Sequence, residues 1–131
     1  MAAFLDTNIV IYANIDDRRT DRALAILADP FHISVQTLNE FTNVMRKKLK
    51  RDWSEIEIAL ADIMLRSVVV HAILPPTQIH AISIAKRYNF SIYDAQVIAS
   101  ALEAGCDTLF SEDMHSGMVI ENRLKIINPF A

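Results

Sequence analysis

Four acidic residues occupy positions from which their side chains could act together: Asp6, Glu40, Asp94 and Asp113. Asp6 directly follows a short apolar run, Asp113 lies three residues after another, and Glu40 and Asp94 lie near the starts of two predicted helices. Carboxylates held close together repel one another and stay ionised only when a cation offsets their charge. Oxygen ligands of this kind suit Mg²⁺, with Mn²⁺ as the alternative, rather than zinc. Such a site predicts phosphoryl chemistry, in which the metal polarises a phosphate and activates a water.

The elements that must position these acids are short strands alternating with helices. Apolar runs predict strands at 3–5, 32–35, 67–72, 108–110 and 125–127, and helical spacing predicts helices at 8–12, 19–28, 36–49, 54–66, 75–88 and 92–104. Ser54 with Glu57, and Ser91 with Asp94, have the spacing of capping boxes. The alternation indicates one α/β domain with a mostly parallel sheet. In such sheets ligands bind beyond the carboxyl ends of the strands, which is where the four acids are expected.

Asp94 is the most informative of the four acids. At about 100° per residue its direction coincides with the apolar residues Val97, Ile98 and Ala101. The polar stripe of the same helix is expected at Gln96, Ser100 and Glu103. A buried carboxylate is costly unless it is paired, hydrogen-bonded or bound to a metal. A capping box does not explain this choice of face, so the pattern favours a functional role for Asp94.

The other acids also have structural interpretations. Asp6 could cap the helix that follows it, because Asp is among the preferred N-cap residues. Asp113 could belong to an ordinary polar turn. Glu40 could be the third residue of a capping box begun by Thr37, or could lie on a solvated face with Lys47. These interpretations remain open at the level of the sequence.

Composition excludes several classes of site. The two glycines, Gly105 and Gly117, are too few and too far apart for a glycine-rich phosphate loop. One cysteine, Cys106, excludes a disulfide framework and a Cys-rich zinc site, and it suits a reducing compartment. An acid at position 6 leaves no room for a signal-peptide apolar region, and no run approaches the length of a membrane span. We therefore expect a cytoplasmic protein without a membrane contact.

The net charge and the local charge distribution give different indications about the partners. Sixteen acidic and thirteen basic residues give a formal charge of −3, which is not typical of a nucleic-acid binder. A basic run nevertheless spans residues 46–51, including Arg46, Lys47 and Lys48. The run is either a solvated helix end, where cations complement the helix dipole, or a local phosphate-binding patch.

Four short segments resemble the acidic motifs of PIN domains, in order and in spacing. They are Phe4-Leu5-Asp6-Thr7-Asn8, Leu38-Asn39-Glu40-Phe41 with Arg46-Lys47 after it, Tyr93-Asp94-Ala95, and Leu109-Phe110-Ser111-Glu112-Asp113-Met114. Their intervals and the total length are similar to those of VapC toxins of bacterial type II toxin–antitoxin pairs. The resemblance covers essentially the whole chain, residues 1–131, as a single PIN domain.

The resemblance implies a three-layer α/β/α fold with a central, mostly parallel sheet, and a metal-dependent endoribonuclease. Carried over by position, the catalytic and metal-binding residues would be Asp6, Glu40, Asp94 and Asp113, supported by Thr7, Asn8 and Ser111. The candidate RNA contacts are Arg46, Lys47 and Lys48. The implied partners are a VapB-like antitoxin, an RNA substrate with tRNA among the candidates, and a second copy of the chain. Glu112 beside Asp113 leaves open which of the two carboxylates points inward.

Two other functions compete with a toxin ribonuclease. One is a magnesium-dependent small-molecule phosphatase of the haloacid dehalogenase type, whose motif also opens with an apolar strand and an aspartate. Asn8 stands where that motif has its second aspartate, and Val10 stands where it has threonine, so the acid/base partner of a nucleophilic Asp6 is missing. The other is a non-catalytic interaction module, in which the acids cap helices and the basic run binds an acidic partner.

Overall fold

A six-stranded sheet forms the centre of the computed structural model, which describes residues 2–131. The strands are β1 (Ala3–Leu5), β2 (Phe31–Ser34), β3 (Val69–His71), β4 (Thr108–Phe110), β5 (Val119–Ile120) and β6 (Leu124–Ile127). Their order across the sheet is β3-β2-β1-β4-β6-β5. All neighbouring pairs are parallel except β5 with β6, which is antiparallel. The prediction of a mostly parallel sheet is confirmed.

Helices cover both faces of this sheet. They are α1 (Thr7–Ala13), α2 (Thr20–Leu27), α3 (Val35–Lys47), α4 (Trp53–Arg66), α5 (Pro75–Tyr88) and α6 (Ile92–Glu103). Because successive strand residues point to opposite faces, each strand contributes to two cores. Phe4 and Leu109 pack with α5 and α6, whereas Leu5 and Phe110 pack with α1 to α4. The predicted three-layer α/β/α architecture is confirmed.

The start of α4 differs from the expected one. Asp52, whose backbone is extended, is the N-cap residue: its carboxylate accepts from the Glu55 amide at 2.8 Å, and Glu55 accepts from the Asp52 amide at 3.4 Å. Ser54 already lies inside the helix, so the capping box predicted for Ser54 and Glu57 is wrong. Both pairs have the spacing of a capping box, and only the pair whose first residue leaves the helical conformation can form one.

The polar stripe expected on α6 is interrupted at Ser100. Ser100 is only 3% exposed, and its hydroxyl has no hydrogen-bond partner among residues 2–131. The reason is that α5 covers this side of α6: Gln96 donates to Gln78 at 3.1 Å, and Glu103 accepts from Thr77 at 2.7 Å. Ser100 is therefore buried in the interface between α5 and α6, whereas Glu103 at the end of the stripe stays exposed.

Two strands differ from the expected ones by more than one residue. β3 is shorter than the predicted run of residues 67–72, and β5 was not predicted at all. β5 has two residues, which is too short for an alternating pattern to show. The turn that joins it to β6 holds Glu121 and Asn122 with positive φ of 51° and 56°. No helix in the described part of the chain has the length and apolarity needed to cross a membrane.

Candidate active site

The site forms at the edge where the parallel strands end, which we call the carboxyl edge. β1 and β4 are neighbours in register, with Leu5 opposite Phe110, so the residues that follow them come together. Ser111 donates its hydroxyl proton to Asp6 Oδ2 at 2.7 Å, across 105 positions of sequence. The parallel register therefore joins the first and fourth of the motifs described above.

All four acids line one cavity at the carboxyl edge, with a volume of about 190 Å³. The residues around it are Asp6, Thr7, Asn8, Ile11, Glu40, Val44, Tyr93, Asp94, Val97 and Asp113. α1 follows β1 and α3 follows β2, which brings their polar residues to this edge. Of the supporting residues expected from the sequence, Thr7 and Asn8 line the cavity, and Ser111 lies behind Asp6.

Asp6 is the most buried of the four acids, with 7% of its surface exposed. It is the N-cap residue of α1 and accepts from the Thr7 amide at 2.8 Å, so its capping role and its place in the cavity coexist. Burial raises the pKa of Asp6 to about 6, against the opposing hydrogen bonds from Ser111 and Thr7. The negative charges of Glu40 and Asp94 raise it further.

Glu40 is oriented through both of its carboxylate oxygens. The Thr7 hydroxyl donates to Oε2 at 3.0 Å, and Gln36 Nε2 donates to Oε1 at 2.9 Å. The expected capping box between Thr37 and Glu40 does not form: Thr37 Oγ1 instead accepts from the Ser34 amide at 3.3 Å. Gln36 was missed by the sequence analysis, although its spacing of four residues from Glu40 on one helix could have indicated it.

Asn8 connects three parts of the site. Its Nδ2 donates to Asp113 Oδ2 at 3.1 Å and approaches Asp6 Oδ2 at 3.4 Å. Its Oδ1 accepts from the Glu112 amide at 3.2 Å. The side chain of Asn8 therefore fixes the loop after β4 relative to the start of α1.

The Glu112 side chain turns away from the cavity. Arg19 donates to both of its oxygens at 2.9 Å, and the Tyr12 hydroxyl donates at 2.7 Å. Burial would raise the pKa of Glu112, but the hydrogen bonds from Tyr12 and Arg19 outweigh it and lower the pKa. The structure thus answers the question that the sequence left open, since Asp113 is the carboxylate that lines the cavity.

Asp94 lies half-buried in the first turn of α6, beside Val97. Its amide donates to the Ser91 hydroxyl at 3.2 Å. Burial raises the pKa of Asp94, the hydrogen bond with Ser91 opposes the rise, and the charges of Asp113 and Glu40 add to it. The acids therefore act on one another across the cavity, as the sequence predicted for neighbouring carboxylates.

The basic run lies outside the cavity lining. Arg46 packs its guanidinium over the Trp53 ring at 4.7 Å and donates to the Arg51 carbonyl at 3.1 Å. Lys47 and Lys48 are exposed at the end of α3, the same helix that carries Glu40. Contact between these three side chains and RNA remains a prediction.

The donor set fits a hard divalent cation, because carboxylate oxygens are the ligands that Mg²⁺ and Mn²⁺ prefer. Burial and mutual repulsion both disfavour the ionised forms of Asp6 and Asp94, and a bound cation would relieve both effects. Among residues 2–131, no three His, Cys, Asp or Glu side chains are gathered closely enough to hold an ion as they stand. Binding would therefore require the carboxylates to draw together around the ion.

Comparison with known families identifies the fold. Residues 3–115 match the family model of the PIN domain. The chain belongs to the PIN domain family. The matched range contains all four acids of the cavity. No curated protein is significantly similar to this PIN domain in sequence.

Solved structures share the fold of this PIN domain at low sequence identity. VapC20 of Mycobacterium tuberculosis, a Sarcin-Ricin loop cleaving toxin, is 20% identical, with a TM-score of 0.72 over 92% of this chain and 98% of that one. A toxin–antitoxin complex from Klebsiella pneumoniae is 19% identical, with a TM-score of 0.73 over 97% of each chain. VapBC2 of Rickettsia felis, bound to a DNA fragment from its promoter, is 16% identical, with a TM-score of 0.65 over 86% and 89%.

Proposed function

We propose that this PIN domain is a metal-dependent ribonuclease toxin that hydrolyses RNA phosphodiester bonds and is neutralised by a VapB-like antitoxin. The observation that carries the proposal is the convergence of four carboxylates from distant parts of the chain on one cavity at the carboxyl edge. The structural neighbours support it, since they include a Sarcin-Ricin loop cleaving toxin and toxin–antitoxin complexes.

In this proposal Asp6, Glu40, Asp94 and Asp113 hold Mg²⁺, with Mn²⁺ as the alternative. When bound, such a cation would polarise the phosphate and lower the pKa of a water molecule, so that no side-chain nucleophile is needed. Without it, the carboxylates repel a phosphate electrostatically. Binding of RNA and cleavage should therefore both depend on the cation.

The supporting residues hold the carboxylates in place. Ser111 and the Thr7 amide fix Asp6, the Thr7 hydroxyl fixes Glu40, and Asn8 fixes Asp113. Hydrogen bonds of this kind hold a carboxylate in the orientation in which it can bind a metal ion. Asp113 is the most exposed of the four acids, and Asn8 is the residue that holds it.

Partner surfaces outside the cavity belong to the same proposal. Ile58 and Leu65 on α4 and Ile79 on α5 are the most exposed aliphatic side chains among the described residues, at 68% to 86%, and contact with a partner would remove them from water. We assign these faces to the antitoxin and to a second copy of the chain in a homodimer. The exposed Lys47 and Lys48, with Arg46, would contact the RNA backbone, and tRNA is among the candidate substrates. The expected compartment is the cytoplasm.

The test is the Asp94→Asn variant, because the substitution removes one charge and preserves the shape of the side chain. We expect cleavage of total RNA in Mg²⁺ and inhibition of growth to be lost, while the melting temperature stays near that of the unsubstituted protein. Asp16→Asn is the matched control, since Asp16 lies exposed in the loop after α1 and outside the cavity. EDTA should abolish cleavage by the unsubstituted protein, and added Mg²⁺ or Mn²⁺ should restore it.

The proposal fails if a folded Asp94→Asn protein cuts RNA at the unsubstituted rate, or if EDTA leaves cleavage unchanged. Sequencing of RNA ends after induction in cells would identify the substrate and the cleavage position. Co-expression with the product of a small neighbouring gene would test for the antitoxin, and light scattering would give the oligomeric state.

The geometry does not favour the two alternative functions. A phosphatase with Asp6 as its nucleophile would need an acid at position 8, and the Asn8 amide there is engaged with Asp113 and Glu112. A non-catalytic module would have no need to gather four carboxylates against their mutual repulsion. Trapping of a phosphorylated Asp6 would favour the phosphatase, and the absence of both metal-dependent stabilisation and nuclease activity would favour the module.

A further inference from the structure

The acid-lined cavity is also lined by apolar side chains that the proposed hydrolysis does not use, which we call its apolar side. Ile11 of α1, Val44 of α3 and Val97 of α6 line it, together with Tyr93. Tyr93 precedes Asp94 in the first turn of α6, and 69% of its surface is exposed. An aromatic ring and a group of apolar side chains thus share one small cavity with four carboxylates.

The Tyr93 ring differs from the other exposed or half-buried Tyr and Trp rings of the protein. Tyr12 lies under Arg19 at 4.0 Å, Trp53 under Arg46 at 4.7 Å, and Tyr88 beside Arg87 at 5.0 Å. Each of these rings has a cation against it. No such cation lies over Tyr93 in the part of the chain that the structure describes. Its π-face is therefore available to a flat ligand.

We propose that Tyr93 and the apolar side of the cavity form a nucleobase-binding subsite, which stacks the base next to the phosphate that is cleaved. This inference rests on the proposed ribonuclease function. The charged backbone of RNA belongs with the cation at the carboxylates, and its uncharged base belongs with the aromatic and apolar groups beside them. Every base has a π-face, so stacking on a tyrosine tolerates different sequences.

RNA suits this position better than an apolar segment of a protein partner. The most exposed aliphatic side chains among the described residues lie on α4 and α5, outside the cavity: Ile58, Leu65 and Ile79. The apolar part of the cavity is small by comparison, because the whole cavity has about 190 Å³ and shares its walls with four carboxylates. A single base extending from a phosphate at those carboxylates fits both properties.

Three variants separate stacking from other roles. Tyr93→Ala removes the ring, Tyr93→Phe keeps the ring and removes the hydroxyl, and Leu24→Ala is the matched control, since Leu24 is 44% exposed on α2 outside the cavity. The probe is a random-sequence RNA of about 12 nucleotides with a fluorophore and a quencher, cleaved in Mg²⁺. Its counterpart is an oligomer of abasic ribose phosphates of the same length, titrated as a competitor.

We expect Tyr93→Ala to raise the KM by roughly 5- to 150-fold, which corresponds to the usual contribution of one base stacked on an aromatic side chain. The kcat, the KM of Tyr93→Phe and the KM of Leu24→Ala should stay within about twofold of the unsubstituted values. The inhibition constant of the abasic oligomer should be the same for the unsubstituted protein and for Tyr93→Ala. A role limited to folding would change the melting temperature and would weaken both oligomers alike.

The inference is overturned if Tyr93→Ala leaves the KM unchanged, if Tyr93→Phe has the same defect as Tyr93→Ala, or if the abasic oligomer loses affinity to the same degree. An unchanged KM together with weaker binding of the antitoxin would assign the apolar side to the protein partner instead. If the unsubstituted protein does not cleave RNA, the proposed function fails, and fluorescence anisotropy of the labelled RNA still measures the effect of Tyr93 on binding. Absence of binding as well would overturn the subsite.

Discussion

Asp6 allows a quantitative test of the carboxylate site, because its burial should destabilise the fold whenever no cation is bound. The test substitution is Asp6→Asn, which removes the charge and keeps an oxygen that can accept from the Thr7 amide. In EDTA near neutral pH the substitution should increase the free energy of unfolding. A substitution that abolishes the proposed activity is thus expected to stabilise the protein.

The magnitude follows from the pKa of Asp6, which burial raises from 3.8 to about 6. The folded state therefore binds more protons than the unfolded state between these values, and stability falls as the pH rises through them. At about 1.4 kcal/mol per pKa unit, the cost is roughly 1 kcal/mol at about pH 4.5 and roughly 3 kcal/mol at about pH 7.5. The gain from Asp6→Asn should grow by about 2 kcal/mol between these two conditions.

Urea unfolding of both proteins in EDTA at the two pH values measures this difference. Asp16→Asn is the control, since Asp16 is exposed in the loop after α1. Mg²⁺ should then stabilise the unsubstituted protein more than Asp6→Asn, because a ligand stabilises the folded state according to its affinity. Equal stabilities in EDTA at neutral pH, or a gain that does not change with pH, would refute the assignment of a raised pKa to a buried Asp6.

Three further predictions concern residues around the site and in the core. Arg19→Met should lower the kcat by roughly tenfold with a nearly unchanged melting temperature, because Arg19 holds Glu112 in the loop that carries Asp113. An Arg19→Met protein with full kcat would contradict this role. His80→Gln should destabilise the protein by less than about 1 kcal/mol near pH 5.5, because His80 bridges Glu103 and Glu121 and these bonds raise its pKa against the effect of burial. This stabilisation is present below the ordinary histidine pKa and lost as the pH rises through the raised one, so chemical unfolding at about pH 9 should show no difference. Phe41→Ala should cost about 3–5 kcal/mol in urea unfolding, since the ring is fully buried under the sheet, and a loss below about 1 kcal/mol would contradict its place in the core.

The sequence was sufficient for the parts of the fold that local patterns determine. β1 and α5 have the predicted bounds, because an apolar run ends at Asp6 and a Pro-Pro pair begins the helix. The convergence of the four acids could be predicted as well, since strand ends and helix starts of an alternating α/β chain meet at one edge. The burial of Ser100 could not be predicted, because it depends on the packing of α5 against α6 and not on the pattern within α6.

The residues that orient the acids were harder to predict from the sequence. Arg19 and Tyr12 reach Glu112 from about a hundred positions away, and no local spacing relates them to it. Ser111 and Asn8 were expected only through the family resemblance, and their partners became visible once the register of β1 and β4 was fixed. Hydrogen bonds between distant segments follow from topology, which a pattern along one segment does not contain.

The pairing of β1 with β4 also has a consequence for synthesis of the chain. The cavity combines Asp6 with Asp113, so the chain must be synthesised through residue 113 before all four acids can meet. Contacts of such long sequence separation form late, since the intervening chain must first be closed into a loop. A nascent chain on the ribosome therefore holds Asp6, Glu40 and Asp94 without the loop that completes the cavity.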